Sequence, residues 1–261
     1  MAYCSKRMKI TTWNVNSVRA RAAHVERFLA VQQPDLLLLQ EIKCEEPAFP
    51  AANFAALGYQ SVVLGQKSYN GVAILSRLPF NVTARGLPGL DDAQARYLEI
   101  ECESILVGNL YLPNGNSGGD TGYAYKLRWM KALRARAAAL LEQDHDFMLA
   151  GDYNVCPTDA DLAQGTLPPG DALVRPETRA EFRALLWLGL TDAVRALHPT
   201  EIIYSFWDYQ VGCWPRDKGL RIDHALLSPR LAEKLIYALP DREVRNEEQP
   251  SDHCPVTIKL D

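Results

Sequence analysis

Asp35-Leu36-Leu37-Leu38-Leu39-Gln40-Glu41 sets four leucines in an unbroken row and ends them in two polar side chains. A run this short, bounded by acidic residues, predicts a β-strand buried on both faces. A helix needs about ten residues or more, and a half-exposed strand would alternate apolar with polar. Besides this strand at 35–39, short runs rich in Val, Ile, Leu and Thr predict strands at 9–13, 60–64, 72–75, 97–101, 105–112, 147–150, 222–227 and 256–260. Helical patterns cover 18–31, 123–141 and 176–188, and in the second Leu127, Met130, Leu133, Ala137 and Leu140 share one face. The chain has no repeat, low-complexity tract or interdomain linker. One α/β layered domain over 9–261, behind a flexible extension at 1–8, is the expectation.

A hydrophobic fraction of 48% with 23% charged residues over 261 positions supplies a packed core and excludes a disordered chain. No apolar stretch approaches the roughly 18 to 20 residues of a membrane-spanning helix. The basic N-terminus lacks the apolar segment of a signal peptide. Cys4, Cys44, Cys102, Cys156, Cys213 and Cys254 are scattered with no C-x-x-C pair, which argues against a zinc ribbon or redox motif. Reduced thiols and a cytoplasmic location, with no membrane partner, follow as expectations. Net charge is −4, from 28 basic and 32 acidic side chains, so no global basic balance announces a polyanionic partner.

The predicted strands share a feature at their C-terminal ends. Asn14 and Asn16 follow the first, Gln40 and Glu41 the leucine run, Tyr111 and Asn114 the 105–112 run, and Gly151-Asp152-Tyr153-Asn154 the run at 147–150. In α/β sheets that edge carries ligands, because its loops are free while the scaffold is rigid. Turn formation accounts for Asn114 and for Asn16, but Glu is a weak turn former, and Glu41 asks for another reason. Asp223, at the start of a strand, and Asp252-His253, just before the last one, join the set. Carboxylates that converge in an interior need a cation to stay ionised. An oxygen-rich set without Cys or paired His suits a hard ion such as Mg²⁺, with Mn²⁺ as a substitute.

Seven short motifs occur in order: Trp13-Asn14-Val15-Asn16, Leu39-Gln40-Glu41-Ile42-Lys43, Asn70-Gly71-Val72-Ala73, Tyr111-Leu112-Pro113-Asn114-Gly115, Gly151-Asp152-Tyr153-Asn154, Gly219-Leu220-Arg221-Ile222-Asp223 and Ser251-Asp252-His253-Cys254-Pro255. Together they resemble the exonuclease III/abasic-site endonuclease family of the endonuclease/exonuclease/phosphatase superfamily. The resemblance spans nearly the whole chain. It implies a four-layer α/β sandwich, two mixed sheets face to face with helices outside and the active site at one edge. It further implies that Glu41 binds Mg²⁺ with Asn16 close by, where some relatives carry Asp, and that Asp252 is an auxiliary metal carboxylate. Asp152 would deprotonate the attacking water, held by Asn14 and Asn154. His253, paired with Asp223, would contact a phosphate oxygen, and Tyr111 the phosphate or leaving group. Lys43 and Arg96 match basic positions lining the site. Phe206, Trp207, Leu220 and Ile222 resemble an apolar slot for a base-free sugar, with Leu220 where some relatives carry Trp. The implied substrate is double-stranded DNA with abasic sites, nicks or blocked 3′ ends, cut by a monomer to leave a 3′-hydroxyl.

Three other readings compete. Gly115-Asn116-Ser117-Gly118-Gly119 fits a G-x-S-x-G nucleophile elbow, but Pro113-Asn114 precedes it, and Gly118, Gly119 and Gly122 are expected to delay any helix. A cousin acting on inositol phosphates or sphingolipids fits the Leu-Pro-Asn-Gly stretch and the Phe206-Trp207 loop less well. A nonenzymatic nucleic-acid-binding regulator on the same scaffold would be expected to lose acidic or histidine positions, and here all are present. Setting aside Glu41, Asp152, Asp223 and Asp252 leaves 28 acidic against 28 basic groups, so any basic footprint is local. Arg19, Arg21, Lys43, Arg96, Lys126, Arg128, Arg216, Lys218 and Arg221, many of them close to the motifs, are candidates to rim the site and contact phosphates.

Overall fold

The leucine run is a central strand. A computed structural model of the chain describes residues 7–261. Its strands are β1 (Met8–Asn14), β2 (Leu36–Gln40), β3 (Gln60–Leu64), β4 (Val72–Ser76), β5 (Asn81–Arg85), β6 (Tyr97–Cys102), β7 (Ile105–Tyr111), β8 (Phe147–Asp152), β9 (Thr191–Asp192), β10 (Asp223–Leu227), β11 (Leu235–Pro240) and β12 (Val256–Leu260). They form two six-stranded sheets, ordered β11-β12-β1-β2-β4-β3 and β5-β6-β7-β8-β10-β9. Each sheet holds one parallel pair, β1 with β2 and β7 with β8, among antiparallel neighbours. Parallel neighbours need a crossover. Helix α1 (Ala22–Gln32) supplies the first; after a short α2 (Ala51–Ala55), α3 (Gly119–Glu142) supplies the second. Helix α4 (Pro176–Trp187) packs beside α3.

Alternation along β2 shows why four consecutive leucines are needed. Leu36 and Leu38 enter the core between the sheets, with Ile10, Leu98, Ile100, Val107 and Met148. Leu37 and Leu39 face the other way, onto Val25, Phe28 and Leu29 of α1. The second sheet likewise has an outer layer, where Trp129, Met130 and Leu133 of α3 and Phe182 and Leu185 of α4 meet Leu110, Phe147 and Leu149. Two buried sheets between helical layers are the expected four-layer sandwich. Among the described residues, no helix is long and apolar enough to cross a membrane.

Some boundaries differ from expectation. Residues 1–6 of the expected extension lie outside the described residues, and Met8 already belongs to β1, paired with Leu260. The three glycines do not delay α3, which starts at Gly119 and runs through Gly122. Gly118, in the left-handed conformation, stands at its N-cap. No elbow forms, because residues 112–118 separate β7 from the helix. Strands β5, β9 and β11 are edge elements outside the expected set; β5 is largely exposed, and β11, though apolar throughout, is mostly only part-buried.

One buried ion network fixes the segment after β8. Arg221, fully enclosed, donates from Nε to Asp161 (2.7 Å) and from Nη1 to Asp192 (2.8 Å). Arg195 also reaches Asp161, at 2.6 Å. Burial pushes His224 down to about 4, so it is neutral and its Nδ1 accepts from Arg221 at 2.9 Å. Removing one partner of such a network strands the others without a counter-charge. Arg221→Met is therefore expected to lower the unfolding free energy by about 3–5 kcal/mol, measured by urea denaturation; a loss below about 1 kcal/mol would contradict it.

Candidate active site

The strand pairing brings the polar strand ends together. Asn14 ends β1 beside Gln40 of β2, and Tyr111 ends β7 beside Asp152 of β8. Asp223, the first residue of β10, lies opposite Asp152. The two sheets face each other, so these ends meet across the interior. Asn14 spans the gap: its Nδ2 donates to Glu41 Oε1 and to Asp152 Oδ2, each at 2.9 Å.

Asp152 is held from both sides. It is buried, its Oδ1 accepts the Asn154 backbone N–H at 2.8 Å, and its Oδ2 lies 3.7 Å from His253 Nε2. His253 Nδ1 in turn meets Asp223 Oδ2 at 2.9 Å. Burial raises the Asp152 carboxyl to about 7; His253 opposes the rise and the Asp223 charge adds to it. Burial alone would lower His253, but Asp223 and Asp152 outweigh it and hold the imidazole up to about 10. Asp223 Oδ2 also accepts from Ser205 Oγ at 2.6 Å, while its buried Oδ1 has no hydrogen-bond partner among the described residues.

Glu41 and Asn16 hold an internal cation. Lys43 Nζ lies 2.9 Å from Glu41 Oε2 and donates to Asn16 Oδ1 at 2.5 Å. Asn16 Nδ2 donates to Asp252 Oδ1 at 3.1 Å. Burial pushes the Glu41 carboxyl up, but Lys43 and the hydrogen bond from Asn14 more than offset it, leaving it below its ordinary value. Glu41, Asn16 and Asp252 thus offer hard oxygen donors at a point that already accommodates positive charge, and they fit a divalent cation of the Mg²⁺ kind. Ligand-type atoms of Asp152, Asp223 and His253 also lie within 4.8 Å of one another. An imidazole held protonated has no lone pair for a metal, so the trio reads as a relay, hydrogen-bonded from His253 to Asp223 and ion-paired from His253 to Asp152.

Tyr111 is part-buried beside Glu41 and Asp152; burial first, then those two charges, raise its phenol well above the usual range and keep it a donor. Arg96 lies 4.8 Å from the centre of the Tyr111 ring and donates to its carbonyl at 3.2 Å. Four residues here bend the chain into the left-handed region: Asn16 (φ 44°), Glu41 (48°), Lys43 (52°) and Asn154 (49°). Such conformations cost roughly 1–3 kcal/mol each and cluster where function over-determines geometry.

The four apolar slot residues divide. Phe206 keeps partial exposure and sets its ring edge-on against the His253 imidazole, centroids 4.9 Å apart. Trp207 is buried among Tyr204, Cys213 and Cys254, with Nε1 bonded to Asp217. Leu220 and Ile222 are buried with Cys156 and Leu173. Lys126 and Arg221, candidates for the basic rim, are interior instead. Cys156 and Cys254 are buried, and burial pushes the Cys156 thiol up to about 12, which makes it a poor nucleophile. Sequence reasoning missed Ser205, and also Ser251, whose Oγ donates to the Asn14 carbonyl at 2.7 Å. Ser251 stood inside a quoted motif; Ser205 carried no signal.

A buried acid–imidazole relay set against hard oxygen donors, at the strand ends between two face-to-face sheets, defines a phosphoester-cleaving class of α/β sandwich. The Endonuclease/Exonuclease/phosphatase family profile matches residues 11–253, and the chain belongs to that family, in its exonuclease III/abasic-site endonuclease branch; it is a hydrolytic nuclease. It is 36% identical to the Exodeoxyribonuclease III of Haemophilus influenzae, over 95% of this chain and 98% of that one. A Neisseria 3′ phosphatase solved with a product DNA hairpin superposes with a TM-score of 0.92 at 40% identity, over 97% of this chain and 99% of that one. An AP endonuclease from Archaeoglobus fulgidus does so at 0.92 and 35%, with the same coverage.

The relay makes a pH prediction. A folded-state pKa above the unfolded value means that the His253–Asp223 pair stabilises fully below about 6.5 and loses that stabilisation as pH rises through about 10. In the metal-free protein, an NMR titration is expected to find His253 far above 6.5, with Asp223→Asn bringing it back towards that value. A wild-type titration at or below 6.5 contradicts the arrangement.

Proposed function

We propose that the chain is a Mg²⁺-dependent DNA repair phosphodiesterase that hydrolyses duplex DNA at abasic sites or at 3′ ends, as a 3′→5′ exonuclease or 3′-phosphatase, and leaves a 3′-hydroxyl. The observation that carries the reading is the buried Asp152–His253–Asp223 relay, tied to Glu41 through Asn14. Glu41, Asn16 and Asp252 would hold the ion, which when bound neutralises charge on the phosphoryl oxygens.

The chain's own groups do the rest. A carboxyl raised to about 7 is matched to proton transfer near neutral pH, so Asp152 takes the proton of the attacking water. Asn14 and Asn154 orient that water and the phosphate. His253, held protonated by Asp223, donates to a non-bridging oxygen, and the Tyr111 phenol makes a further donor contact. In-line attack on phosphorus breaks the bond to the 3′ oxygen, which then picks up a proton. Lys43 and Arg96 contribute positive charge at the rim, and Phe206, beside His253, offers apolar surface to a base-free sugar. The nonenzymatic alternative is disfavoured because Glu41, Asp152, Asp223, Asp252 and His253 are all present and the relay is assembled. The buried thiols of Cys44, Cys156, Cys213 and Cys254 suit a reducing, cytoplasmic setting.

Three duplexes test the reading with Mg²⁺: one with a single abasic analogue, one with a 3′-phosphate nick and one with a recessed end. Cleavage of at least one is expected, abolished by EDTA; cleavage of none overturns it. Asp152→Asn is expected to lower kcat by about 10²–10⁴-fold. Burial opposes the Asp152 charge above pH 7, so the same variant should melt at an equal or higher temperature at pH 8. Wild-type turnover in that variant removes Asp152 as the base.

A further inference from the structure

We infer that Lys126 is a positioning residue, a buried amine beneath the site that ties the loop after β7 to the loop after β8 and so holds Asn154 and Asp152 in place. The inference rests on the hydrolytic reading above. On α3, position 126 faces the interior with Trp129 and Met130, where helical periodicity calls for an apolar side chain. Lys126 has no exposed surface. Its Nζ donates to the carbonyl of Asn114 at 2.9 Å and to that of Asn154 at 2.6 Å. Among the described residues it makes no ion pair with a carboxylate.

The loops are shaped around it. Gly115 has φ 88°, and a Cβ there would come 2.7 Å from Lys126 Cδ and 3.1 Å from Ala172 Cβ, so only glycine clears the lysine stem. Asn114 Nδ2 donates to Asn154 Oδ1 and Asn154 Nδ2 to the Leu112 carbonyl, each at 2.9 Å. The strained Asn154 peptide thus has its carbonyl fastened by Lys126 and its N–H fastened to Asp152 Oδ1. The line from lysine to catalytic carboxylate passes through one residue. Burial lowers the amine to about 7, against the pull of Asp152 and Asp171. Charged or neutral, it keeps the two N–H groups that the two carbonyls require.

The experiment compares Lys126→Met with Asn116→Ala, which loosens the same loop from Asp171 and Ala172 without touching Asn154. On the 3′-phosphate nick, Lys126→Met is expected to lower kcat about 10- to 100-fold with KM within about twofold, the scale of a misplaced reacting group. Asn116→Ala should keep kcat within about twofold even if its melting temperature falls as far. Hydrogen exchange at the Asn154 amide, read without metal or substrate, should quicken about tenfold or more in Lys126→Met only. Should that variant not fold, Lys126→Gln, which keeps an N–H for one carbonyl, should show the same changes in smaller measure. Wild-type kcat and wild-type exchange in the lysine variant overturn the inference, as do equal losses in both variants at equal melting temperature. An inactive wild type would fault the hydrolytic reading, and the exchange comparison would still decide the role of Lys126.

Discussion

A carboxylate cut off from water is costly to ionise, and the arrangement of this site answers to that cost at Asp152. Two sheets close over it, and burial alone would leave it protonated, unable to act as the proposed base. His253 offsets the penalty in part, and can do so because Asp223 holds its proton. Ser205 then supports Asp223, donating to the same oxygen that meets the imidazole. From the other sheet Asn14 uses its amide hydrogens on Asp152 and Glu41 at once. The result is a carboxyl that titrates near neutrality, as the proposed role of Asp152 requires, with its partners drawn from both sheets and the loops between their strands.

That dependence explains why the site sits where it does. Parallel pairs at the centre of both sheets put the C-terminal ends of β1, β2, β7 and β8 on one edge. Antiparallel β10 contributes its first residue to the same edge because it runs the other way. Had β10 been parallel to β8, Asp223 would lie at the far end of the sandwich and His253 would lack its partner. Topology, rather than proximity in sequence, assembles the relay.

Much of this was legible in the residues. Alternate leucines of β2 enter two different cores, which the unbroken run anticipated. Glu41, a poor turn former at a strand end, was marked by its own oddity, and the structure places it in the left-handed region against Lys43. What stayed hidden has physical reasons. Strand β5 alternates polar and apolar residues, but it is an exposed edge of five residues whose two apolar members, Val82 and Ala84, are small and bury little, so the signal is weak. Ser205 acts by a single short hydrogen bond, which a serine can make anywhere. Trp207 and Phe206 are adjacent, yet consecutive residues in extended backbone point to opposite sides, so one lines the imidazole and the other the interior.

Charge is the property read most differently once side chains are placed. Lysines and arginines near the motifs suggested a basic rim, yet Lys126 and Arg221 are interior, bonded to carbonyls and buried carboxylates. Lys43 serves Glu41 and Asn16. Several of the cations nearest the motifs are therefore engaged in holding the site together. Formal charge counts them as available to a polyanion, but a guanidinium that already neutralises Asp161 and Asp192 offers little field to solvent. Attraction for a phosphate backbone then has to come from the partly exposed cations at the edge, helped by any divalent ion at Glu41, and so falls with distance from that edge as salt screens it.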